Sequence, residues 1–293
     1  MRYGVHLFQL SDLIPSNSSR SQAAARILSY SPAKTVNKFH SSGFQVAEIS
    51  TDLAVFLPNA LNKKSISRLL KIKEKKGMSY TAHLPLWSIE LSSPHLAVRK
   101  GSIAATVKAI ETIKLLDPEC YVVHATGALA AEFFHKDVNQ LAKDYTIKLF
   151  KENAIESLRE ILETTGIPNR KLAVETINFP LNETLEIAEE LDLSICFDVG
   201  HVLAGFSGPV NFFDALKLCL PRISEFHLHD SPAFGSDNIP KFEQDHIALG
   251  QGDLGIKRFF QVISTSNFNG PIIFELTLNE ALESLQEIKK CCR

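Results

Sequence analysis

The sequence predicts a single (β/α)8 barrel that spans residues 1–293. Short β-like runs recur along the chain, and amphipathic helical stretches separate them. Strands that alternate with helices form parallel sheets, and eight such units in a chain of this length indicate a closed barrel. A doubly wound open sheet is the alternative, but it seldom needs eight units. In addition, no glycine-rich dinucleotide turn follows the first run.

Each predicted element can be placed on the chain. The β-like runs cover residues 3–8, 44–50, 78–83, 120–125, 171–176, 193–198, 223–229 and 271–276. Two long helical patterns cover residues 96–116 and 138–166. The second has apolar residues at helical rather than alternating spacing. These are Leu141, Tyr145, Ile147, Leu149, Ala154, Leu158 and Leu162.

Composition limits the class of protein. The chain is 45% hydrophobic and 22% charged, as expected of an ordinary globular protein. A formal net charge of −2 argues against duplex DNA as a partner, because DNA-binding proteins neutralise phosphates with basic surfaces. No apolar run approaches the roughly 18–20 residues of a membrane span, and the start does not read as a signal peptide. The five cysteines show no paired spacing, so we expect a reducing, cytoplasmic environment.

Three connections are long, and all of them follow predicted strand ends. They cover residues 9–32, 84–95 and 230–250. The carboxyl ends of barrel strands carry the active sites of such enzymes, so long loops there indicate a lid or a bulky substrate. Whether residues 9–32 and 230–246 act as lids stays open at this point.

Imidazoles and carboxylates occupy most of the predicted strand ends. Strand-end positions hold His83, His124, Glu175, Asp198, His227 and Glu275, while His201 and His246 follow in loops. Converging carboxylates repel one another, and a buried, unpaired carboxylate costs several kcal/mol unless a cation meets it. Imidazole and carboxylate ligands without cysteine suit zinc first, and manganese or iron as alternatives. Eight candidates exceed the four or five ligands of one zinc ion, so we expect two or three divalent ions.

Each of these residues alone has a structural interpretation. Asp198 could cap a helix, with His201 incidental in its first turn. His83 could be a turn histidine, and Glu175 could pair with Lys171. The convergence of the whole set favours metal ligands instead.

The residues beside the candidate ligands leave alternatives open. His229 and Asp230 could orient a ligand imidazole or could form a solvated turn. Gly250 and Gly252 are expected in a tight turn, with Asp253 capping a helix that begins near residue 254.

The order of the short motifs "TAHLP", "VHATG", "ET", "DVGH", "HLHD", "DHIALGQG" and "FEL" resembles the endonuclease IV branch of the xylose-isomerase-like TIM barrels. The resemblance implies three metal ions at the barrel mouth. The first ion would be held by His83, His124 and Glu175. A second would be held by Glu175 as a bridge with Asp198, His227 and Glu275. The third would be held by His201 and His246. It also implies that Glu175 and Glu275 are catalytic.

One position departs from that family pattern. The family has an aspartate two residues before the histidine matched by His246, and this chain has Gln244 there with Asp245 adjacent. Either the third site is weak or Asp245 has replaced the missing ligand by a shift of register.

A closer resemblance lies in "YTAHLPLWSIELSSP" (80–94), "VETINFPL" and "FDVGHVLAG", which are similar to the CbiR family of cobamide-remodelling phosphodiesterases. This resemblance implies hydrolysis of the phosphoester in the corrinoid nucleotide loop, with release of cobinamide phosphate and the lower-ligand riboside. Trp87 would then stack on a base, although it could equally pack between barrel and loop.

Three rival functions remain. Sugar isomerases and epimerases of the same superfamily use a single site equivalent to Glu175, Asp198, His227 and Glu275, and they do not need His83 and His124. An endonuclease-IV-like DNA repair enzyme has little support, because no basic stripe is evident. A non-catalytic barrel that binds a corrinoid or a sugar is the third.

Overall fold

The computed structural model describes residues 1–7, 14, 17–57, 59–235 and 239–291, and eight parallel strands close into a barrel. The strands are β1 (Arg2–His6), β2 (Val46–Ser50), β3 (Ser79–His83), β4 (Tyr121–Val123), β5 (Leu172–Glu175), β6 (Ser194–Asp198), β7 (Ile223–Leu228) and β8 (Pro271–Phe274). Neighbours in sequence are neighbours in the sheet, and β8 pairs with β1. The predicted (β/α)8 barrel is confirmed.

Helices connect consecutive strands. They are α1 (Arg20–Ser29), α2 (Pro32–Ser41), α3 (Leu53–Phe56), α4 (Lys63–Lys76), α5 (Leu96–Ile113), α6 (Ala128–His135), α7 (Gln140–Thr165), α8 (Leu181–Glu190), α9 (Val199–Leu203), α10 (Phe212–Cys219), α11 (Ile256–Ser264) and α12 (Leu278–Cys291). Within the described ranges, no helix is both long and apolar enough to span a bilayer.

The two long helical patterns are confirmed. The first forms α5, extended by a 3-10 turn at Lys114–Leu116. The second forms α7, which ends where Gly166 adopts a left-handed φ of 65°. The apolar side of α7 is not buried along its full length, because Leu141 is 79% and Tyr145 is 68% exposed. Helical spacing thus predicted the helix but not where its packing begins.

The parallel register brings the carboxyl ends of the strands to one rim. Asp198 on β6 pairs with His227 on β7, and Glu175 on β5 pairs with Cys196. Side chains of these strand ends therefore face a common space, as the sequence predicted.

Some expectations fall outside the described residues. This group comprises residue 8 of the first β-like run, residues 9–13 and 15–16 of the loop 9–32, residues 236–238 of the loop 230–246, and Cys292. The four cysteines that the structure describes are free thiols.

Candidate metal centre

Glu175 lies at the middle of the rim and is 1% exposed. Its Oε2 lies 2.9 Å from Nε2 of His124 and 3.2 Å from Nε2 of His83. Its Oε1 lies 3.5 Å from Nδ1 of His227 and 3.6 Å from Nδ1 of His201. One carboxylate therefore faces four imidazoles from four different strand ends or loops. This is the arrangement expected of a bridging ligand.

The charge state of Glu175 follows from these neighbours. Burial alone would raise its pKa, but His124 and His227 act against burial and hold the pKa of the Glu175 carboxyl well below its usual range. Glu175 is therefore an anion in the folded protein and can accept a cation.

The second predicted set also converges. Nδ1 of His227 lies 3.5 Å from Oε1 of Glu175, 3.5 Å from Oε1 of Glu275 and 3.7 Å from Oδ2 of Asp198. Nevertheless, this buried nitrogen has no hydrogen-bond partner among the described residues. Two ligand atoms, each about 2.1 Å from a tetrahedral ion, are separated by about 3.4 Å. The spacing suits ligands around a divalent ion better than it suits hydrogen bonds, so these residues fit a metal.

The third predicted set includes Asp245. Oδ2 of Asp245 lies 2.7 Å from Nδ1 of His246 and 3.3 Å from Nε2 of His201. Gln244 is exposed, and its neighbour Asp245 takes the place between the two imidazoles. The geometry therefore favours a shift of register over a weakened third site.

Asp198 caps a helix and also faces the cluster, so its position is compatible with both of the interpretations that the sequence left open. Its Oδ1 accepts a hydrogen bond of 2.7 Å from the backbone N–H of His201, and so Asp198 caps α9. Its Oδ2 lies 3.4 Å from Nδ1 of His201 and faces the cluster. Gly200, between them, is required by packing: a Cβ there would lie 2.1 Å from the ring of His229.

His229 and Asp230 are fully buried, so the interpretation as a solvated turn is wrong. Nδ1 of His229 accepts a hydrogen bond of 2.9 Å from the backbone N–H of His246. Its Nε2–H is then free to donate to Asp198, whose Oδ2 accepts at 3.2 Å. His229 thus orients a candidate ligand carboxylate.

Asp230 shapes the loop that carries Asp245 and His246. Its carboxylate accepts hydrogen bonds from the backbone N–H groups of Ser231, Gly250 and Leu254. The expectation that Asp253 caps the next helix is wrong. Helix α11 begins at Ile256 after Gly255, and Asp253 instead accepts from the N–H of Ala233, which ties two parts of the loop together.

Two other structural interpretations can be judged from the contacts. His83 does contact a turn, because its Nδ1 lies 2.9 Å from the carbonyl oxygen of Leu84. This bond fixes Nδ1 as the donor and leaves Nε2 for Glu175. Lys171 does not pair with Glu175 and instead lies 2.6 Å from a carboxylate oxygen of Asp117.

Two of the candidate ligand imidazoles, His83 and His246, have raised pKa values. Burial opposes protonation of His83, but Glu175 outweighs burial and raises the pKa of His83 to about 9. Burial likewise opposes protonation of His246, and Asp245 with Glu275 raises its pKa to about 9. Without a cation, protons therefore occupy these nitrogens at neutral pH.

Four residues near the cluster were not predicted from the sequence. His6 ends β1, and its ring centroid lies 5.8 Å from that of His83. Glu48 and Glu225 lie inside the barrel beside His227, and Cys196 joins Glu225 and His227 in one group of candidate ligands. Burial raises the pKa of the Cys196 thiol well above its usual value, which disfavours it as a ligand. The spacing of Glu225 was the signal that could have found it. Glu225 lies two residues before His227 on β7, and alternate residues of a strand point to the same face.

Aromatic side chains lie in the segments that follow several of the strand ends. Trp87 is 46% exposed and packs edge-on against Phe56 at 4.6 Å between ring centroids. The ring of Phe206 stacks on that of His201, with 4.9 Å between the ring centroids. The ring centroid of Phe242 lies 4.8 Å from that of Phe206. Trp87 thus packs against Phe56 of helix α3 and also presents exposed ring surface.

Comparison with known proteins places this barrel in a family. The family model described as xylose isomerase-like TIM barrel matches residues 36–291. An uncharacterized protein of Methanocaldococcus jannaschii, MJ1614, is 24% identical over 198 residues, which are 65% of this chain and 68% of that protein.

Two solved structures share the fold over nearly the whole chain. A D-tagatose 3-epimerase-like protein has a TM-score of 0.69 and 22% identity, over 99% of this chain and 97% of that one. Endonuclease IV from Thermus thermophilus has a TM-score of 0.68 and 20% identity, over 99% and 98%. Because the family model covers most of the sequence and the barrel agrees with it, the chain belongs to the family of xylose isomerase-like TIM barrels.

Proposed function

We propose that this protein is a metal-dependent phosphodiesterase with two or three divalent ions at the barrel mouth. The observation that carries the proposal is the number of ligand groups. Glu175, Asp198, His227 and Glu275 would suffice for one ion, yet His83 and His124 also converge on Glu175. A further group lies beside them, in which His201, Asp245 and His246 are candidate ligands and His229 orients Asp198.

The roles of the residues follow from their positions. Glu175 would bridge the first and second ions through its two oxygens, each of which faces two imidazoles. Divalent ions bound there would polarise phosphoryl oxygens and acidify water. Glu275 would accept a proton at the same site, where its carboxylate oxygens lie 3.5 Å from Nδ1 of His227 and 3.2 Å from Nε2 of His246. Asp198 would hold the second ion while His229 orients it.

We propose a cobamide as the substrate, and specifically its nucleotide-loop phosphoester. The likeness of residues 80–94 to the CbiR family supports this choice. Aromatic surfaces in the loops after the strands also support a bulky, planar substrate. Trp87 with Phe56 follows β3 and β2, and Phe206 with Phe242 follows β6 and β7.

The main rival is a single-ion sugar isomerase or epimerase, because the four-residue set around His227 alone would serve it. The rival gives no role to the contacts of His83 and His124 with Glu175. It predicts one ion per chain and turnover of a ketose.

The experiment is a substrate panel with the purified full-length protein, loaded in turn with zinc, manganese or iron. Adenosylcobalamin, duplex DNA with an abasic site, and ketohexoses are incubated in parallel, and the products are identified by mass spectrometry. Cobinamide phosphate and the lower-ligand riboside are the expected products. Glu175→Gln serves as the inactive control, and Glu160→Gln, an exposed partner of Lys100, as the matched control.

Each outcome decides between functions. Release of both corrinoid fragments by the parent, and not by Glu175→Gln, supports the proposal. Turnover of a ketose, or cleavage of the abasic duplex without action on the cobamide, would overturn it.

A further inference from the structure

A polar pair lies inside the barrel, on the side of His227 away from the mouth. Glu48 on β2 and Glu225 on β7 are both 0% exposed. Glu225 precedes His227 by two residues, so the two side chains share the inward face of β7. Barrel interiors are usually filled with branched apolar residues, and burying carboxylates costs several kcal/mol. Because burial of these two carboxylates is unfavourable, we expect the pair to have a functional role.

Within the described part of the chain, each carboxylate of the pair has one hydrogen-bonded oxygen and one oxygen that faces His227 without a hydrogen bond. The Thr81 hydroxyl donates to Oε1 of Glu48 at 3.5 Å, and the Cys120 thiol donates to Oε2 of Glu225 at 3.2 Å. Oε2 of Glu48 and Oε1 of Glu225 have no hydrogen-bond partner among the described residues. These same two oxygens lie 3.3 and 3.5 Å from Nε2 of His227.

His227 therefore lies between two groups of acids. Its Nδ1 faces Glu175 and Glu275, and its Nε2 faces Glu48 and Glu225. A neutral imidazole carries its proton on one nitrogen, and the hydrogen bond made by one nitrogen decides which nitrogen can bind a metal. Acceptors at Nε2 keep the proton there and leave the Nδ1 lone pair for an ion.

We propose that Glu48 and Glu225 are positioning residues that hold the Nε2–H of His227 and thereby present its Nδ1 to the metal centre. Glu48 is the principal acceptor, because its Oε1 forms a hydrogen bond of 3.4 Å with Nε2 and its Oε2 lies 3.3 Å from the same nitrogen. Glu225, which lies on β7 like His227, is the second acceptor, with its Oε1 3.5 Å from Nε2. This inference rests on the proposed function only in requiring that an ion occupies the site of Glu175, Asp198, His227 and Glu275.

The test measures metal binding and the state of the His227 ring rather than turnover. Zinc is removed from the full-length protein and titrated back against a chromophoric chelator, for the parent, Glu48→Gln and Glu225→Gln. Glu119→Gln is the matched control, because Glu119 pairs with Arg2 at the amino end of β1 and does not contact His227. Nitrogen-15 NMR of the zinc-loaded protein reports which nitrogen of His227 carries the proton.

We expect Glu48→Gln to weaken the tightest zinc site by about 10- to 100-fold and to change the His227 resonances. Glu225→Gln should have a smaller effect, and Glu119→Gln none. The parent spectrum alone is decisive if Glu48→Gln fails to fold, because a proton on Nδ1 would overturn the inference.

Two other results would also overturn it. One is unchanged zinc affinity and unchanged His227 resonances in a folded Glu48→Gln. The other is loss of a whole zinc equivalent in Glu225→Gln with the remaining affinities intact, since the barrel interior would then hold an ion of its own. Failure of the protein to hydrolyse a cobamide, with these zinc effects present, would reject the proposed function and leave this inference standing.

Discussion

The imidazole ring of His229 stacks on the ring of His246, with centroids 3.9 Å apart and planes 12° apart. His246 has a φ of 57°, in the left-handed region that few residues other than glycine adopt. The backbone N–H of His246 is satisfied by Nδ1 of His229. A buried imidazole thus holds a loop residue in an uncommon conformation, and that conformation places the imidazole of His246 beside Asp245 and Glu275.

His229→Phe tests this support. Phenylalanine keeps an aromatic ring for stacking but removes the hydrogen bonds to His246 and Asp198. We expect metal affinity of the third site to fall by about 10- to 100-fold with the barrel intact. Metal content after dialysis against a weak chelator measures the effect, and circular dichroism checks the fold. His95→Phe, at an exposed imidazole, is the control, and equal metal content in both variants would contradict the prediction.

Glu175→Gln tests the bridge. The amide keeps the shape but removes the charge and replaces one acceptor with a donor that faces imidazoles. At least one ion should leave, and turnover should fall by about two orders of magnitude or more. Elemental analysis and the phosphodiesterase rate are compared with those of the parent. Full metal content with near-parental rate would show that Glu175 is only a structural carboxylate.

Asp245→Asn and Gln244→Asn separate the two candidates for the third site. Asp245 lies within 3.3 Å of both His201 and His246, while Gln244 is exposed. Asp245→Asn should reduce occupancy of the third site, because a neutral amide stabilises a dication less than a carboxylate does. Gln244→Asn should leave metal content unchanged. The reverse result would show that Gln244, and not Asp245, contributes to the third site, at the position where the family has its aspartate.

His83→Ala combined with His124→Ala tests the number of ions. Both imidazoles contact Oε2 of Glu175, so their removal should eliminate one equivalent and leave the ion held around His227. Elemental analysis of protein purified without chelator should give at least two equivalents for the parent. A reproducible single equivalent in the parent, unaffected by His83→Ala, would favour the single-ion rival.

Metal binding should depend on pH. The pKa values of His83 and His246 are raised to about 9 from an ordinary value near 6.5. Protons compete with the ion for these nitrogens, so binding should release protons and the affinity should rise with pH up to about 9. Isothermal titration calorimetry in buffers of different ionisation enthalpy counts the protons released. No proton release at pH 7 would contradict the raised values.

The same shifts affect the stability of the metal-free protein. A raised folded-state pKa contributes stability that is complete below about pH 6.5 and is lost as the pH rises through about 9. The midpoint temperature of thermal unfolding of the metal-free protein should therefore fall as the pH rises from about 6.5 to about 9, because His83 and His246 lose their protons in that range. The metal-loaded protein should not show this fall, because ions already hold the two imidazoles without protons.

The sequence by itself determined the barrel and most of the candidate site. Alternation of strands and helices needs only local patterns, and parallel strands in a closed barrel bring every carboxyl end to one rim. Residues at those ends, such as His124, Glu175 and Glu275, could therefore be grouped without coordinates. Local spacing also placed α5 and α7 to within a few residues.

Only the tertiary structure decided what depends on contacts between distant segments. That Asp245, and not Gln244, lies between His201 and His246 follows from the backbone of its loop, which Asp230 and His229 hold from the neighbouring strand end. The pairing of Glu48 with Glu225 around His227 joins β2 to β7, and no pattern within one strand shows which residues meet across the barrel interior. Barrel closure and register fix those distances, because they set which inward-facing side chains share a level.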